Sequence, residues 1–290
     1  MTDAMNTADK AALAAVLALL DLEPIEEDIF RGSSPEGSTE RVFGGQVLGQ
    51  ALVAAQRTVD PSRICHSLHA YFLRPGDPSI PILYEVDRSR DGHSFSTRRV
   101  VAIQHGRQIF ILAASFQRVE TGYDHQAVMP QVPPPEALED EMQARKKDPA
   151  LMPELLRGWL LRPRAFETRP VIIDPVGDRP ARAPFDNVWF RAAGPVPPGV
   201  VQPLLAYASD ATLLATSLLP HGKNLLSGLQ IASLDHAMWF HRAVPFDDWL
   251  LYAQHSASAS GARGFSQGAI FSRDGVLIAS VAQEGLIRPR

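Results

Sequence analysis

The chain repeats itself, and that repetition limits its fold more than any other feature. In the first half His66–Arg74 reads HSLHAYFLR, and in the second Ser233–Arg242 reads SLDHAMWFHR. Setting Arg74 on Arg242 also sets Leu83-Tyr84 on Leu251-Tyr252, and Gly106 falls on Gly275 with one residue of slippage. Each copy closes on an apolar run, Ile109–Phe116 and Val276–Ala282. Each should therefore fold into the same unit.

Within a copy the order of patterns is constant. An amphipathic helix comes first, over Gly45–Thr58 in copy one and about Val201–Ser217 in copy two. In the first helix Val47, Leu48, Ala51, Leu52 and Ala55 recur with helical period. Four strands follow. Ile80-Ile82-Tyr84-Val86 and Phe95-Thr97-Arg99-Val101-Ile103 alternate with their neighbours, the period of a sheet with one buried face. Asp91-Gly92, His105-Gly106 and Asp274-Gly275 read as hairpin turns in which glycine supplies a positive φ. A helix followed by antiparallel strands buries its apolar stripe on the sheet, which gives an α+β layer. Two such layers can pair edge to edge. The expected organisation is a repeat over 1–121, a Pro-rich linker over 122–183 and a second repeat over 184–290. The linker holds Pro133-Pro134-Pro135, a charged stretch Glu136–Asp148 and a Leu-rich stretch Leu151–Leu161, and reads as a spacer on the surface.

Composition narrows the function. With 290 residues, 45% hydrophobic and 21% charged, the chain can bury a core without metal or disulfide support. Cys65 is the single cysteine, so no internal disulfide forms, and a reducing, cytoplasmic setting is expected. A net charge of −4 and a pI near 6.1 argue against nucleic-acid binding. No run is long enough to span a membrane. Ala11–Leu20 resembles a signal-peptide core but has acidic flanks, so a short helix ended by Pro24 is the expectation; Arg288-Pro289-Arg290 is no peroxisomal address. Neither zinc motif, G-x-S-x-G elbow nor complete P-loop is present, and no metal or cofactor is expected. Ser233, Asp235 and His236 invite a triad, but alternation along a strand sends residues 235 and 236 to opposite faces.

Several strings resemble the acyl-CoA thioesterase II family. They are Val42-Phe-Gly-Gly-Gln-Val-Leu-Gly-Gln-Ala-Leu, His69-Ala-Tyr-Phe-Leu-Arg-Pro-Gly-Asp, Asp235-His-Ala-Met-Trp-Phe-His-Arg, Ser258-Ala-Ser-Gly-Ala-Arg-Gly-Phe and Ala282-Gln-Glu-Gly-Leu-Ile-Arg. The resemblance runs from about Glu23 to Arg288. It implies a double hotdog, in which each half wraps an antiparallel sheet around a helix, and hydrolysis of fatty acyl-CoA to free acid and CoA. It also implies a site of Asp210, Ser233 and Gln283 that activates water, with CoA as part of the substrate and a homodimer or homotetramer as assembly. Taken singly, the residues leave blander readings open: Asp210 as a helix cap, Ser233 as the start of a strand, Gln283 as a polar strand face. Ser233 stands where many members carry Thr, keeping the hydroxyl.

On that footing Asp210, in an apolar helix, is the expected base, since desolvation raises a carboxylate's basicity. Ser233 and Gln283 would orient water, with no acyl-enzyme. Sliding the two helices together sets Gln50 opposite Asp210, so the first repeat should lack a base. Gly44-Gly45 opens the first helix, and the Gly45 and Gln46 amides are candidates for the thioester carbonyl or a phosphate; tight helix–sheet packing explains the glycines equally well. Arg263 and Arg98-Arg99 are candidate phosphate ligands or solvated strand arginines. His66 and His69 read as core or surface histidines. An enoyl-CoA hydratase and a non-catalytic acyl-CoA binder are the alternatives.

Overall fold

The computed structural model of the protein describes residues 7–35, 41–148, 161–175, 179–243 and 246–290. The Leu-rich stretch Leu151–Leu161 lies outside the described residues except for its last position. The first repeat comprises β1 (Glu23–Glu26), β2 (Ile29–Gly32), helix α2 (Gly44–Gln56), β3 (Arg63–Phe72), β4 (Ile82–Asp91), β5 (Phe95–Gln104) and β6 (Arg107–Arg118), preceded by helix α1 (Thr7–Leu20). After a short helix α3 (Glu141–Lys147), the second repeat comprises β7 (Phe166–Pro170), β8 (Phe185–Ala192), helix α4 (Val201–Ser209), a 3-10 segment (Leu213–His221), β9 (Leu229–Ser233), β10 (Asp235–Phe240), β11 (Leu250–Ser260), β12 (Arg263–Ser272) and β13 (Leu277–Pro289).

Strand order makes the repeat explicit. One sheet runs β1-β2-β4-β5-β6-β3-β10-β13-β12-β11-β8-β7, and β9 pairs with β13 off this path. Read outward from the centre, the first half is matched strand for strand by the second, β3 with β10, β6 with β13 and so on to the edges. The seam is the antiparallel β3–β10 pair, with Leu68 opposite Met238 and His69 opposite Ala237. This is the double hotdog that the resemblance implies, joined edge to edge.

Four sequence expectations change. First, α2 is not half-exposed: every residue from Gly45 to Ala55 is buried, because the sheet covers one side and α1 and α4 the other. Second, the second helix stops at Ser209, and the chain continues as the 3-10 segment. That segment lies on the sheet where Gly264 and Gly285 leave room for Ser217 and Leu214. Third, Gly106 and Gly275 adopt positive φ as expected, but Gly92 does not; His105 does so unexpectedly, and a further pair, Gly261 and Ala262, turns the β11–β12 hairpin. Fourth, the Pro-rich span over 122–183 is more than a spacer. It supplies edge strand β7, and Met129, Val132 and Leu138 pack on Trp189, Trp249, Leu251, Phe271 and Leu277 across the outer face of the second sheet. Trp189 Nε1 fastens it there, donating to the Pro133 carbonyl at 2.9 Å. Among the described residues no helix is long and apolar enough to cross a membrane.

Candidate active site

Helices α2 and α4 lie antiparallel and unusually close. A Cβ on Gly45 would strike the Tyr207 carbonyl oxygen, and one on Gly49 would sit 3.0 Å from that of Pro203. The glycines thus serve helix–helix rather than helix–sheet contact. Their effect is to bring the C-terminus of α4 over the N-terminus of α2. Asp210, the C-cap of α4, is carried to that point. A Cβ on Gly44 would be 2.7 Å from Asp210 Oδ2. Helix α2 has no side-chain N-cap of its own, and the Gly45 amide donates toward the Asp210 carboxylate. A group from one repeat therefore caps the helix of the other.

The three residues singled out in the sequence meet there. Gln283 Nε2 donates to Asp210 Oδ1 at 2.5 Å and to Ser233 Oγ at 3.0 Å, while Ser233 Oγ donates to Asp210 Oδ1 at 3.3 Å. Both amide hydrogens of Gln283 are thereby committed, and its Oε1 has no partner among the described residues. Asp210 and Gln283 are buried, and Ser233 is half-buried. Desolvation raises Asp210 from the ordinary carboxylate range to about 6; the hydrogen bonds from Gln283, Ser233 and Gly45 and the charge of Arg41 act in the opposite direction. Arg41, in the loop before α2, reaches across to the Ile231 carbonyl of β9 at 2.8 Å.

Ser233 reaches this place through a bulge. Ser233 pairs with Gly285 and Ala237 with Ala282, so four residue steps on one side match three on the other. The extra residue at Leu234-Asp235 reverses the alternation, and Ser233 and His236 face the same side. The sequence reading missed this, because unbroken alternation separates them. Asp235 does turn away as expected, accepting from the Glu284 amide at 2.6 Å. His236 is fully buried, with Nε2 2.9 Å from Ser209 Oγ and Nδ1 3.9 Å from Asp210 Oδ1. Burial pushes its imidazole down to about 3, so it is neutral. Its closeness to Ser233 in the sequence was the signal, which unbroken alternation discounted.

Other candidates are placed elsewhere. Gln46 keeps its amide on the Phe43 carbonyl at 3.1 Å and points its side chain at Ser33 and Ser34. Gln50, set on Asp210 when the two helices are slid together, is fully buried. It lies mid-helix in the core, where it donates to the Leu19 and Ser33 carbonyls and accepts from Tyr84 OH. At the far end of α2, Gln56 Nε2 donates to Gln202 Oε1 of α4 at 3.3 Å. Helix α2 carries no carboxylate along its length. Arg98 is buried and holds Asp91 and the Thr58 carbonyl, a structural clamp. Arg263 is exposed and paired with Glu284 at 2.9 Å. His66 contacts Ser115, and His69 packs edge-on against Trp239. Among the described residues no group of three His, Cys, Asp or Glu side chains could hold a metal ion.

Comparison with known proteins agrees with this architecture. The family profile described as acyl-CoA thioesterase matches residues 164–286, and that of the acyl-CoA thioesterase N-terminal domain matches residues 33–117. Acyl-CoA thioesterase 2 of Haemophilus influenzae is 43% identical over 276 residues, covering 94% of this chain and 96% of that protein. Human acyl-coenzyme A thioesterase 8 is 42% identical over 283 residues, covering 94% of this chain and 88% of that protein. The crystal structure of acyl-CoA thioesterase II TesB2 from Mycobacterium marinum superposes with a TM-score of 0.78 at 44% identity, over 95% of this chain and 98% of the other. With its fold, its repeat and these likenesses, the chain belongs to the acyl-CoA thioesterase family of thioester hydrolases.

Proposed function

We propose that the chain hydrolyses fatty acyl-CoA to free fatty acid and CoA, with Asp210 as the base for an attacking water. The observation that carries the reading is the closed triangle of Asp210, Ser233 and Gln283 around one buried carboxylate. A desolvated carboxylate near 6 is ionised at neutral pH yet basic enough to accept a proton. Ser233 and Gln283 fix its orientation and leave Gln283 Oε1 free to hold the water. The water oxygen bonds to the thioester carbon as its proton passes to Asp210. The tetrahedral species then collapses, the C–S bond breaks, and CoA leaves as a thiolate that takes up the proton. Ser233 is not assigned as nucleophile, because its hydroxyl faces Asp210 and Gln283 while His236 Nε2 faces Ser209.

Gly45 is assigned to the electrophilic side. Its amide at the positive end of α2 holds the carboxylate before reaction. As Asp210 gains a proton that hold weakens, just as negative charge builds on the carbonyl oxygen. Gln46 takes no part in this reading, since its amide is bonded within its own turn. A cytoplasmic setting and a homodimer or homotetramer complete the proposal; light scattering on the purified chain checks the assembly.

The test is free-thiol release from decanoyl- and palmitoyl-CoA. Wild type should turn both over, and Asp210→Asn should lose about 10²–10⁴-fold in kcat. A wild type that binds these thioesters without releasing thiol leaves the non-catalytic binder standing. Hydration of an enoyl-CoA in place of thiol release would favour the hydratase.

A further inference from the structure

His236 is a buried titratable side chain beside Asp210 that the reaction above does not use. Its Nε2 lies 2.9 Å from Ser209 Oγ, and that hydroxyl donates its single hydrogen to the Ala206 carbonyl at 2.9 Å. A hydroxyl that has already donated can only accept, so the imidazole hydrogen belongs on Nε2. Nδ1 then carries the lone pair. Among the described residues it has no hydrogen-bond partner, and it stands 3.9 Å from Asp210 Oδ1. Two acceptors facing each other in a dry interior disfavour the charged carboxylate. When Asp210 is protonated, its hydroxyl has an acceptor waiting, and the repulsion becomes attraction.

We propose that His236 is a positioning residue for Asp210: held as the neutral Nε2–H tautomer by Ser209, it turns the Nδ1 lone pair on the carboxylate and strengthens it as a proton acceptor. The proposal rests on the reading of Asp210 as base. Other groups around the pair do not supply this effect. Arg41, from the loop before α2, acts in the opposite sense. Tyr207 on α4 and Tyr252 on β11 have phenols raised by burial and by the Asp210 charge, so both stay neutral. Tyr252 OH donates to the Ser209 carbonyl at 3.1 Å. From β13 the neighbour is the uncharged Gln283, and Asp235 on β10 faces the other side.

The test is the pH profile of kcat/KM for decanoyl-CoA in wild type, His236→Gln and Ser209→Ala. The glutamine keeps a donor for Ser209 and removes the acceptor at Nδ1. The acid limb should move down by roughly 0.5–1 pH unit, with a few-fold lower plateau. Ser209→Ala leaves the ring but frees its tautomer, so an Nδ1–H can form and donate to Asp210; the limb should again move down. Nitrogen-15 NMR of histidine-labelled wild type should show a neutral Nε2–H ring at pH 6–8. An unmoved limb in both variants means a merely structural ring and overturns the proposal. So does a limb that moves up, the sign of a cationic partner, or an Nδ1–H tautomer in the spectrum. Should His236→Gln fail to fold, Ser209→Ala and the spectrum decide. Asp210→Asn run beside them keeps the two readings apart. Full turnover in that variant removes the base, whereas loss of turnover with unmoved limbs removes only the role of His236.

Discussion

A carboxylate buried at the end of one helix and over the start of another lies in two opposed fields. The C-terminus of α4 repels its charge, and the N-terminus of α2 attracts it. Burial outweighs the favourable contacts, and the sign of the consequence can be worked out. The folded chain holds a proton on Asp210 up to about pH 6, whereas an unfolded carboxyl releases it near 3.8. Folding is therefore most favoured with both states protonated, and stability falls as pH rises from about 4 to 6. Above that the ionised group costs up to roughly 3 kcal/mol. Asp210→Asn should accordingly be more stable than wild type at pH 8, with the advantage vanishing near pH 4. Urea midpoints at the two pH values read this directly, and an equal difference at both would contradict it. Ser233→Ala removes two of the triangle's three bonds, those to Asp210 and from Gln283, and should slow turnover about 10–100-fold. Ser233→Thr, which keeps the hydroxyl, should remain near wild type.

At the level of elements, the approach of α2 to α4 is set by absent side chains. Gly45→Ala would press a methyl on the Tyr207 carbonyl and should destabilise the fold by about 1–3 kcal/mol. Gly44→Ala meets Asp210 Oδ2 instead. There the expected result is a smaller loss of stability and about a 10²-fold loss of turnover, because a displaced base is felt more in rate than in folding. Thermal melts and thiol-release rates on the pair separate the two. These elements also show what was legible beforehand. Alternation in Ile82–Val86 located β4 and its buried face. In Phe95–Ile103 it located β5 but not its face: Ser96, Arg98, Val100, Ala102 and Gln104 are buried, and Phe95 and Arg99 are exposed. The end of α4 at Asp210 and the bulge at Leu234-Asp235 were not legible. Both depend on what lies opposite them, Gly264 and Gly285 for the 3-10 segment and β13 for the bulge, at long sequence separation. Resemblance supplied Asp210, Ser233 and Gln283 as a set; periodicity alone left each with an ordinary explanation, and unbroken alternation set His236 aside from Ser233.

Across the whole molecule the two repeats share one core. Residues from both, including Cys65, Leu68, Leu204, Met238 and Val281, form a single apolar cluster, and Gln202 Nε2 of α4 donates to the Cys65 carbonyl of β3 at 2.7 Å. The chain offers two reporters in different halves. Cys65 is in the first repeat, its thiol buried and pushed up to about 12, whereas all four tryptophans lie beyond residue 158. Alkylation of Cys65 and tryptophan fluorescence should therefore follow one urea transition. Separate midpoints would mean that the halves unfold independently. The repeat itself was legible from a handful of matched residues, and it fixed the mirrored strand order. It did not reveal that 122–183 contributes β7 and covers the second sheet, since a Pro-rich composition says little about where a segment docks.

The capping of α2 by Asp210 has an evolutionary reading. In a dimer of identical hotdogs each inherited change appears in both subunits, so a mutation that improves a helix start in one site also alters its counterpart. Fusing two copies into one chain removes that obligation while keeping their ratio fixed at one to one. The first repeat has been free to keep a helix without any acid and to open it with glycines that make room for the other half's Asp210. Duplication here has yielded a division of labour, in which one half supplies the helix start, the other the carboxylate that caps it, and the pair is inherited as one unit.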